Sequence, residues 1–183
     1  MDAFAADLLA LGLRPGDRIG IWSPNNIEWI ITQFASAKVG LILITINPAY
    51  RLNELDYALN TVGCKALVTA AVFKTSNYLE MLAALAPEIA TCAPGQLVAA
   101  RVPSLTTLIA IGADAPGFFR FDAVPGLAGA EHRRQLAAIG AALKPTDAIN
   151  IQFISGTTGN PRVPRSAIAT WSTTPSSSVR VCA

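Results

Sequence analysis

The chain has little with which to build a metal site or a disulfide framework. It carries one histidine, His132, and three cysteines, Cys64, Cys92 and Cys182, widely spaced and without a Cys-x-x-Cys pair. Neither zinc nor a set of disulfides is expected to organise the fold, and a reducing, cytoplasmic compartment is the expected setting. Charge is also scarce. Only 14% of residues are charged and the net charge is +2, with the basic residues scattered. That balance gives no basic face for nucleic acid or an anionic membrane surface. The richest apolar run, residues 41–46, falls far short of the roughly 20 residues that span a bilayer. Acidic Asp2 and Asp7 stand where a secretory leader would want basic residues, so no signal peptide is expected.

What is present suffices for a sizeable core. A chain of 183 residues that is 52% hydrophobic can fold as one domain, burying about 70% of its unfolded surface. Its pattern alternates short strands with helices. Residues 3–11 read as a helix stopped by Gly12, and Arg18–Trp22 as a strand. Ile27, Ile30, Ile31 and Phe34 recur at helical spacing, so residues 26–38 are predicted to be a helix with that stripe inward. Residues 41–46 are apolar apart from Thr45, as expected of a parallel strand covered on both faces. Asn53 is the predicted N-cap of a helix carrying Leu55, Ala58, Leu59 and Val62, closed by Gly63. Residues 65–69 form a third strand. Ser76 or Asn77 caps a helix with Leu79, Leu82, Ala86 and Ile89 on one side, and Pro87 unsettles its end. Residues 91–103 are irregular, Thr107–Ile111 is a fourth strand, and residues 112–129 read as surface loop. Residues 130–143 form a helix with Leu136, Ile139 and Leu143 inward. Strands alternating with helices of this length argue for βαβ units: an α/β fold with a mainly parallel sheet flanked by helices.

The chemistry concentrates near the end. Ile149, Ile151 and Phe153 alternate with Asn150 and Gln152, a strand with one apolar face. It runs into S-G-T-T-G-N-P-R, residues 155–162, which has no hydrophobic period. Gly156 and Gly159 permit backbone conformations that turn successive N–H groups toward one anion. Ser155, Thr157 and Thr158 add hydroxyl donors, and Arg162 adds a forked cation suited to phosphate oxygens. The segment is neither G-x-x-x-x-G-K-[ST] nor G-x-G-x-x-G. From spacing alone it reads as a polyphosphate cradle or, more commonly, as a plain turn.

The same string closely resembles the phosphate loop of the AMP-forming acyl-CoA synthetases, the adenylate-forming enzymes, usually written T-S-G-T-T-G-x-P-K-G. Upstream, L-G-L-R-P-G-D-R-I-G-I-W, S-P-N-N and I-N-P-A-Y-R-L-N-E-L-D-Y-A-L-N resemble the early part of these enzymes and stand in the family's order. The resemblance covers residues 7–161 and is nearest to the medium-chain, or family-member-2, fatty acyl-CoA synthetases. The I-N-P-A-Y segment speaks against the luciferase-like and peptide-synthetase branches. Ile154, Arg162 and Val163 depart from the family's Thr, Lys and Gly.

The resemblance implies an incomplete N-terminal part of the adenylate-forming fold. It implies ATP, Mg²⁺ and coenzyme A as cofactors, and a nucleotide and a carboxylic acid as small-molecule partners of the parent enzyme. It assigns cofactor binding to Ser155, Gly156, Thr157, Thr158, Gly159 and Arg162, with no catalytic residue and no metal ligand in this chain. Residues 1–161 are expected to form a partial AMP-binding domain. Residues 162–183 hold eight Ser/Thr and no regular period, do not resemble the family, and are expected to be disordered or frameshifted. Met1 is expected not to be the parent's original start. The chain is thus expected to be an inactive fragment of an ATP-dependent fatty acid–CoA ligase. The alternative is a non-catalytic nucleotide- or partner-binding module on the same scaffold. Oligomeric state is not legible in the sequence.

Overall fold

The computed structural model describes residues 1–153, and six of its strands form one sheet in which every neighbouring pair is parallel. In chain order the elements are α1 (Asp2–Ala10), β1 (Arg18–Trp22), α2 (Ile27–Val39), β2 (Ile42–Thr45), α3 (Leu52–Val62) and β3 (Ala66–Ala70). Then come β4 (Val72–Phe73), β5 (Ser76–Asn77), α4 (Tyr78–Leu85), β6 (Thr107–Ile111), β7 (Phe118–Arg120), α5 (Ala130–Ala142) and β8 (Asn150–Gln152). The sheet order is β7-β6-β3-β1-β2-β8, and β4 and β5 pair separately as a small antiparallel hairpin. The α/β expectation therefore holds, with the predicted strand boundaries at β1 and β6 reproduced.

Each face of the sheet has its own core. Trp22, Ile44, Leu67 and Leu108 point to one side, where α3 and α4 cover them through Leu55, Leu59, Tyr78 and Leu82. Ile19, Ile21, Leu43, Val68 and Ile109 point to the other, beneath α1 and α2 through Phe4, Leu8, Ala35 and Val39. At the amino edge, the Arg18 guanidinium donates to the Val62 and Gly63 carbonyl oxygens at 2.7 and 2.8 Å, satisfying the end of α3. Asp7, buried in α1, accepts from the Ala128 N–H at 2.8 Å and the Gly126 N–H at 3.2 Å, tying the segment before α5 to the first helix.

Three expectations are corrected. The stripe on α2 faces mostly outward: Ile27, Ile30 and Phe34 are 61%, 42% and 51% exposed, of the stripe only Ile31 packs against the core, and Thr32, Ala35, Ser36 and Val39 are buried. Small residues let α2 approach α1 and the sheet closely. The two buried hydroxyls are satisfied within the helix, Thr32 on the Glu28 carbonyl at 2.7 Å and Ser36 on the Gln33 carbonyl at 2.9 Å. The N-cap of α3 is Arg51, whose backbone N–H donates to the Glu54 carboxylate at 3.1 Å; Asn53 already lies in the helix. The predicted loop at residues 112–129 contains β7, which pairs with β6 at one edge of the sheet. The expectation for α4 holds: Asn77 is its N-cap, Leu82, Ala86 and Ile89 are buried with Leu79 packed beside them, Tyr78 and Leu85 join them, and Pro87 ends the α-helix by opening a 3-10 turn, Pro87–Ala90.

Gly20 lies in the middle of β1, and an added Cβ would stand 2.8 Å from Leu67 Cδ1 and 3.2 Å from both Cys64 Sγ and Ile46 Cδ1. The Gly20→Ala substitution is expected to cost about 1–3 kcal/mol by overpacking, read as a lowered urea midpoint at unchanged m-value. An unchanged midpoint would show that the three side chains yield without strain.

Candidate active site at the carboxyl edge of the sheet

In open parallel α/β sheets, ligands bind outside the carboxyl ends of the strands. Here β1, β2 and β8 stand side by side, with Leu43, Ile44 and Thr45 of β2 in register with Asn150, Ile151 and Gln152 of β8. The string predicted to be the phosphate loop follows β8 in the sequence. Its residues Ser155, Gly156, Thr157, Thr158, Gly159 and Arg162 lie outside the described residues, as does the anomalous segment 162–183.

The neighbouring turns at this edge are held firmly. After β1, the buried Ser23 hydroxyl donates to the Pro24 carbonyl and accepts from Asn26 Nδ2, both at 2.9 Å. Asn26 in turn caps α2, accepting the Trp29 N–H at 2.8 Å. After β2, residues 47–50 form a turn in which Asn47 Oδ1 accepts the Ala49 N–H at 2.9 Å and the Asn47 carbonyl accepts the Tyr50 N–H at 3.0 Å. Two fully buried aromatics grip this turn. Trp22 Nε1 donates to the Asn47 carbonyl at 3.2 Å, and the Tyr78 hydroxyl donates to the Pro48 carbonyl at 2.6 Å. Their rings stack with centroids 3.7 Å apart and planes 10° from parallel. In the sequence Trp22 stands only as the last residue of a strand, and Tyr78 is not singled out at all. The signal was the aromatic closing R-I-G-I-W and an Asn-Pro turn closing the next strand, but pairing them requires the sheet order.

Other candidates resolve into structural roles. Cys64 is fully buried, with its Sγ 3.1 Å from the Ala66 carbonyl oxygen, and burial pushes its thiol up to about 12, so it is no nucleophile at neutral pH. His132 Nδ1 accepts the Gly129 N–H at 3.2 Å at the start of α5, a capping contact. Burial, with the Glu54 carboxylate second, raises the Tyr50 phenol. Glu131 pairs with Arg134 on the exposed face of α5. Among the described residues no group of three His, Cys, Asp or Glu could hold a metal ion. Among them, too, no helix is long and apolar enough to cross a membrane.

β8 keeps its predicted alternation, with its polar face covered as well. Asn150 is only 7% exposed and shares a face with Leu43, and its Oδ1 has no hydrogen-bond partner among the described residues. Ile151 and Phe153 are half-buried against the opposite core, because β8 is the outer strand.

The open parallel sheet with helices on both faces defines a doubly wound α/β domain. The sequence matches the AMP-binding enzyme family over residues 1–163, and the chain belongs to that family. It is 45% identical over 158 residues to the medium-chain acyl-CoA ligase ACSF2, mitochondrial, of Danio rerio, covering 86% of this chain and 26% of that one. The human protein of the same name is 44% identical over 163 residues, with 88% and 26% covered. The chain thus spans about a quarter of the length of these relatives. Acetoacetyl-CoA synthetase from Streptomyces lividans shares the fold, with a TM-score of 0.65 at 23% identity, over 87% of this chain and 23% of that one. The N-terminal domain of FACL13 from Mycobacterium tuberculosis aligns at a TM-score of 0.55 and 27% identity, over 87% and 33%. The resemblance to acyl-CoA ligases is thus borne out. The ACSF2 relatives are named mitochondrial, so they lend no support to a specifically cytoplasmic setting.

Besides Tyr50, two acids are shifted far upward in the folded state, Cys64 from 9.0 and Tyr78 from 10.0, each to about 12, with burial the largest cause. Between these ordinary and folded values the native state holds protons that the unfolded chain has lost, so stability falls as pH rises from about 9 toward 12. Tyr78→Phe is expected to cost about 1 kcal/mol at pH 7, through the lost bond to Pro48, and to flatten the decline above pH 10. Urea midpoints at several pH values test this; an undiminished slope would remove Tyr78 as its source. Thiol alkylation of the native chain at pH 8, mapped by mass spectrometry, is expected to spare Cys64 until denaturant is added.

Proposed function

We propose that this chain supplies the polyphosphate-binding part of an ATP-dependent fatty acid–CoA ligase. Such an enzyme activates a carboxylate as its acyl-adenylate and then forms the thioester. The observation that carries the reading is the 45% identity to a medium-chain acyl-CoA ligase across 86% of this chain, in a match that runs through the phosphate-loop string. In this reading Ser155, Gly156, Thr157, Thr158 and Gly159 surround the phosphates of ATP, and Arg162 supplies the cation in place of the family's lysine. The stacked pair Trp22 and Tyr78 holds the adjoining 47–50 turn as a rigid wall. Mg²⁺ enters with ATP, since a hard cation of this kind binds through phosphates and water with few protein ligands. Coenzyme A is the thiol that accepts the acyl group. A reducing compartment, the cytoplasm among them, suits the free Cys64 and Cys92.

The 183-residue chain is proposed to form no acyl-CoA by itself. Catalysis requires the acyl group and the α-phosphate to be held together and the developing charge stabilised, and the chain spans 26% of its ligase relatives. A nucleotide-binding half-site is expected to show weak, saturable ATP binding.

The test is calorimetric titration of the purified chain with ATP and Mg²⁺, alongside Gly156→Val and Gly159→Val. Each substitution is expected to weaken binding at least about tenfold, ~1.4 kcal/mol, by blocking the backbone approach to phosphate. Equal affinity in all three proteins would remove the loop as the binding site. Thioester formation by the 183-residue chain with a fatty acid and coenzyme A would overturn the proposed inactivity.

A further inference from the structure

The stretch from Pro125 to Gln152 is shallowly seated. Of its residues only Ala128 and Asn150 are buried. None of the thirteen residues of α5 is buried, and only Leu136 and Ile139 pack against the core beneath. The other four helices each bury three residues or more. β8 is three residues long and, among the described strands, pairs with β2 alone. A stretch with so little buried apolar area opens at lower free energy than the central strands beside it.

What holds this stretch is concentrated at its start. Asp7 of α1 is 1% exposed, and its carboxylate accepts the Ala128 N–H at 2.8 Å and the Gly126 N–H at 3.2 Å. Among the described residues its side chain makes no hydrogen bond outside this segment. A buried carboxylate satisfied by two N–H groups cannot lose them unless water takes their place. Just upstream, Phe121 and Val124 are buried, so the firmly packed chain ends there. Gly126 follows with φ 105°, a conformation that suits a pivot. At the other end the closed arrangement is imperfect, because Asn150 Oδ1 is buried without a partner among the described residues and opening would hydrate it.

We propose that residues 125–152 open and close as one unit, separately from the rest of the domain, and that Asp7 is the latch. Opening turns about Gly126, lifts α5 from α1 and α2, parts β8 from β2 and lets water reach Asp7 and Asn150. Closing returns the two N–H groups to the carboxylate and β8 to its register with Leu43, Ile44 and Thr45. Asp7 is thus a positioning residue: from the first helix it sets where β8 lies, acting through α5. The strand it releases is the one that runs on toward S-G-T-T-G-N-P-R. The latch needs no nucleotide, and it stands independently of the binding proposed for that string.

Native-state hydrogen exchange of the 183-residue chain tests the proposal, read by mass spectrometry on peptides from α5 and β8 and from β1, β3 and β6. In the wild type, amides of α5 and β8 are expected to exchange through an opening that leaves the three central strands protected. Asp7→Ala should speed exchange in α5 and β8 at least about tenfold and leave β1, β3 and β6 within about twofold. Asp7→Asn keeps one acceptor oxygen for the Ala128 N–H, so its effect should fall between, and it carries the test where the alanine variant does not fold. Equal protection of α5, β8 and the central strands in the wild type overturns the separate unit. Asp7 variants that speed every peptide alike, or that leave α5 and β8 unchanged, overturn the latch.

Discussion

A central parallel strand must be buried on both faces, and the rest of this domain follows from satisfying that demand on β1. Ile19 and Ile21 leave one face and Gly20 and Trp22 the other, and apart from half-buried Arg18 the whole strand is buried. Because β1 pairs with both β2 and β3, the chain has to cross the sheet on one side and then the other. Those crossings are α2 and α3, whose inner faces supply the two cores. The absent side chain at Gly20 is part of the solution, since Leu67, Cys64 and Ile46 converge on the space it leaves. A fully packed two-sided core tolerates no spare methyl there.

The same strand governs the carboxyl edge. Trp22 is its last residue, and its indole is at once core, stacking partner and hydrogen-bond donor. By reaching the Asn47 carbonyl it couples the end of β1 to the end of β2, and Tyr78 adds a second donor to the next carbonyl along. A turn whose successive carbonyls are held by buried side chains has little freedom to move. For the function proposed above such preorganisation matters, because flexible walls would have to be ordered at the expense of binding energy.

The strand–helix alternation was legible in the sequence because it is local: apolar period, capping residues and breakers act within a dozen residues. The family and the parallel sheet followed from motifs of the same kind. What was not legible depends on long-range placement. β7 is three residues in a stretch rich in glycine and proline, and it becomes a strand only because β6 offers an unpaired edge. Asp7 looks like a solvent-facing acid in sequence, yet two N–H groups from residues 126 and 128 draw it inside. The alternation at 149–153 predicted one apolar face, which packs as expected, but only the register with β2 shows that Asn150 on the other face is covered too. Of the candidate site, the turns that flank the loop became visible only once the strands were ordered, while Ser155 through Arg162 stand beyond what the structure describes.

Helix α2 is the instance in which pattern reasoning failed most instructively. Periodicity finds the apolar stripe of a helix, and in a domain with one core that stripe faces inward. Here the inner face is made of small residues whose hydroxyls bond back to their own helix, so it can be buried at little cost, while three large apolar side chains remain outside. A helix apolar on one side and small on the other is suited to burial on both. Local sequence and global fold agree elsewhere in the domain, and natural chains break that agreement mainly where a surface has a second use. The neighbouring α5 shows the same underfilled packing, with no buried residue along thirteen. Two adjacent helices with unspent apolar area form an exposed patch of the sort that marks an interaction surface. Their position on the face opposite α3 and α4 separates that surface from the aromatic clamp that shapes the carboxyl edge.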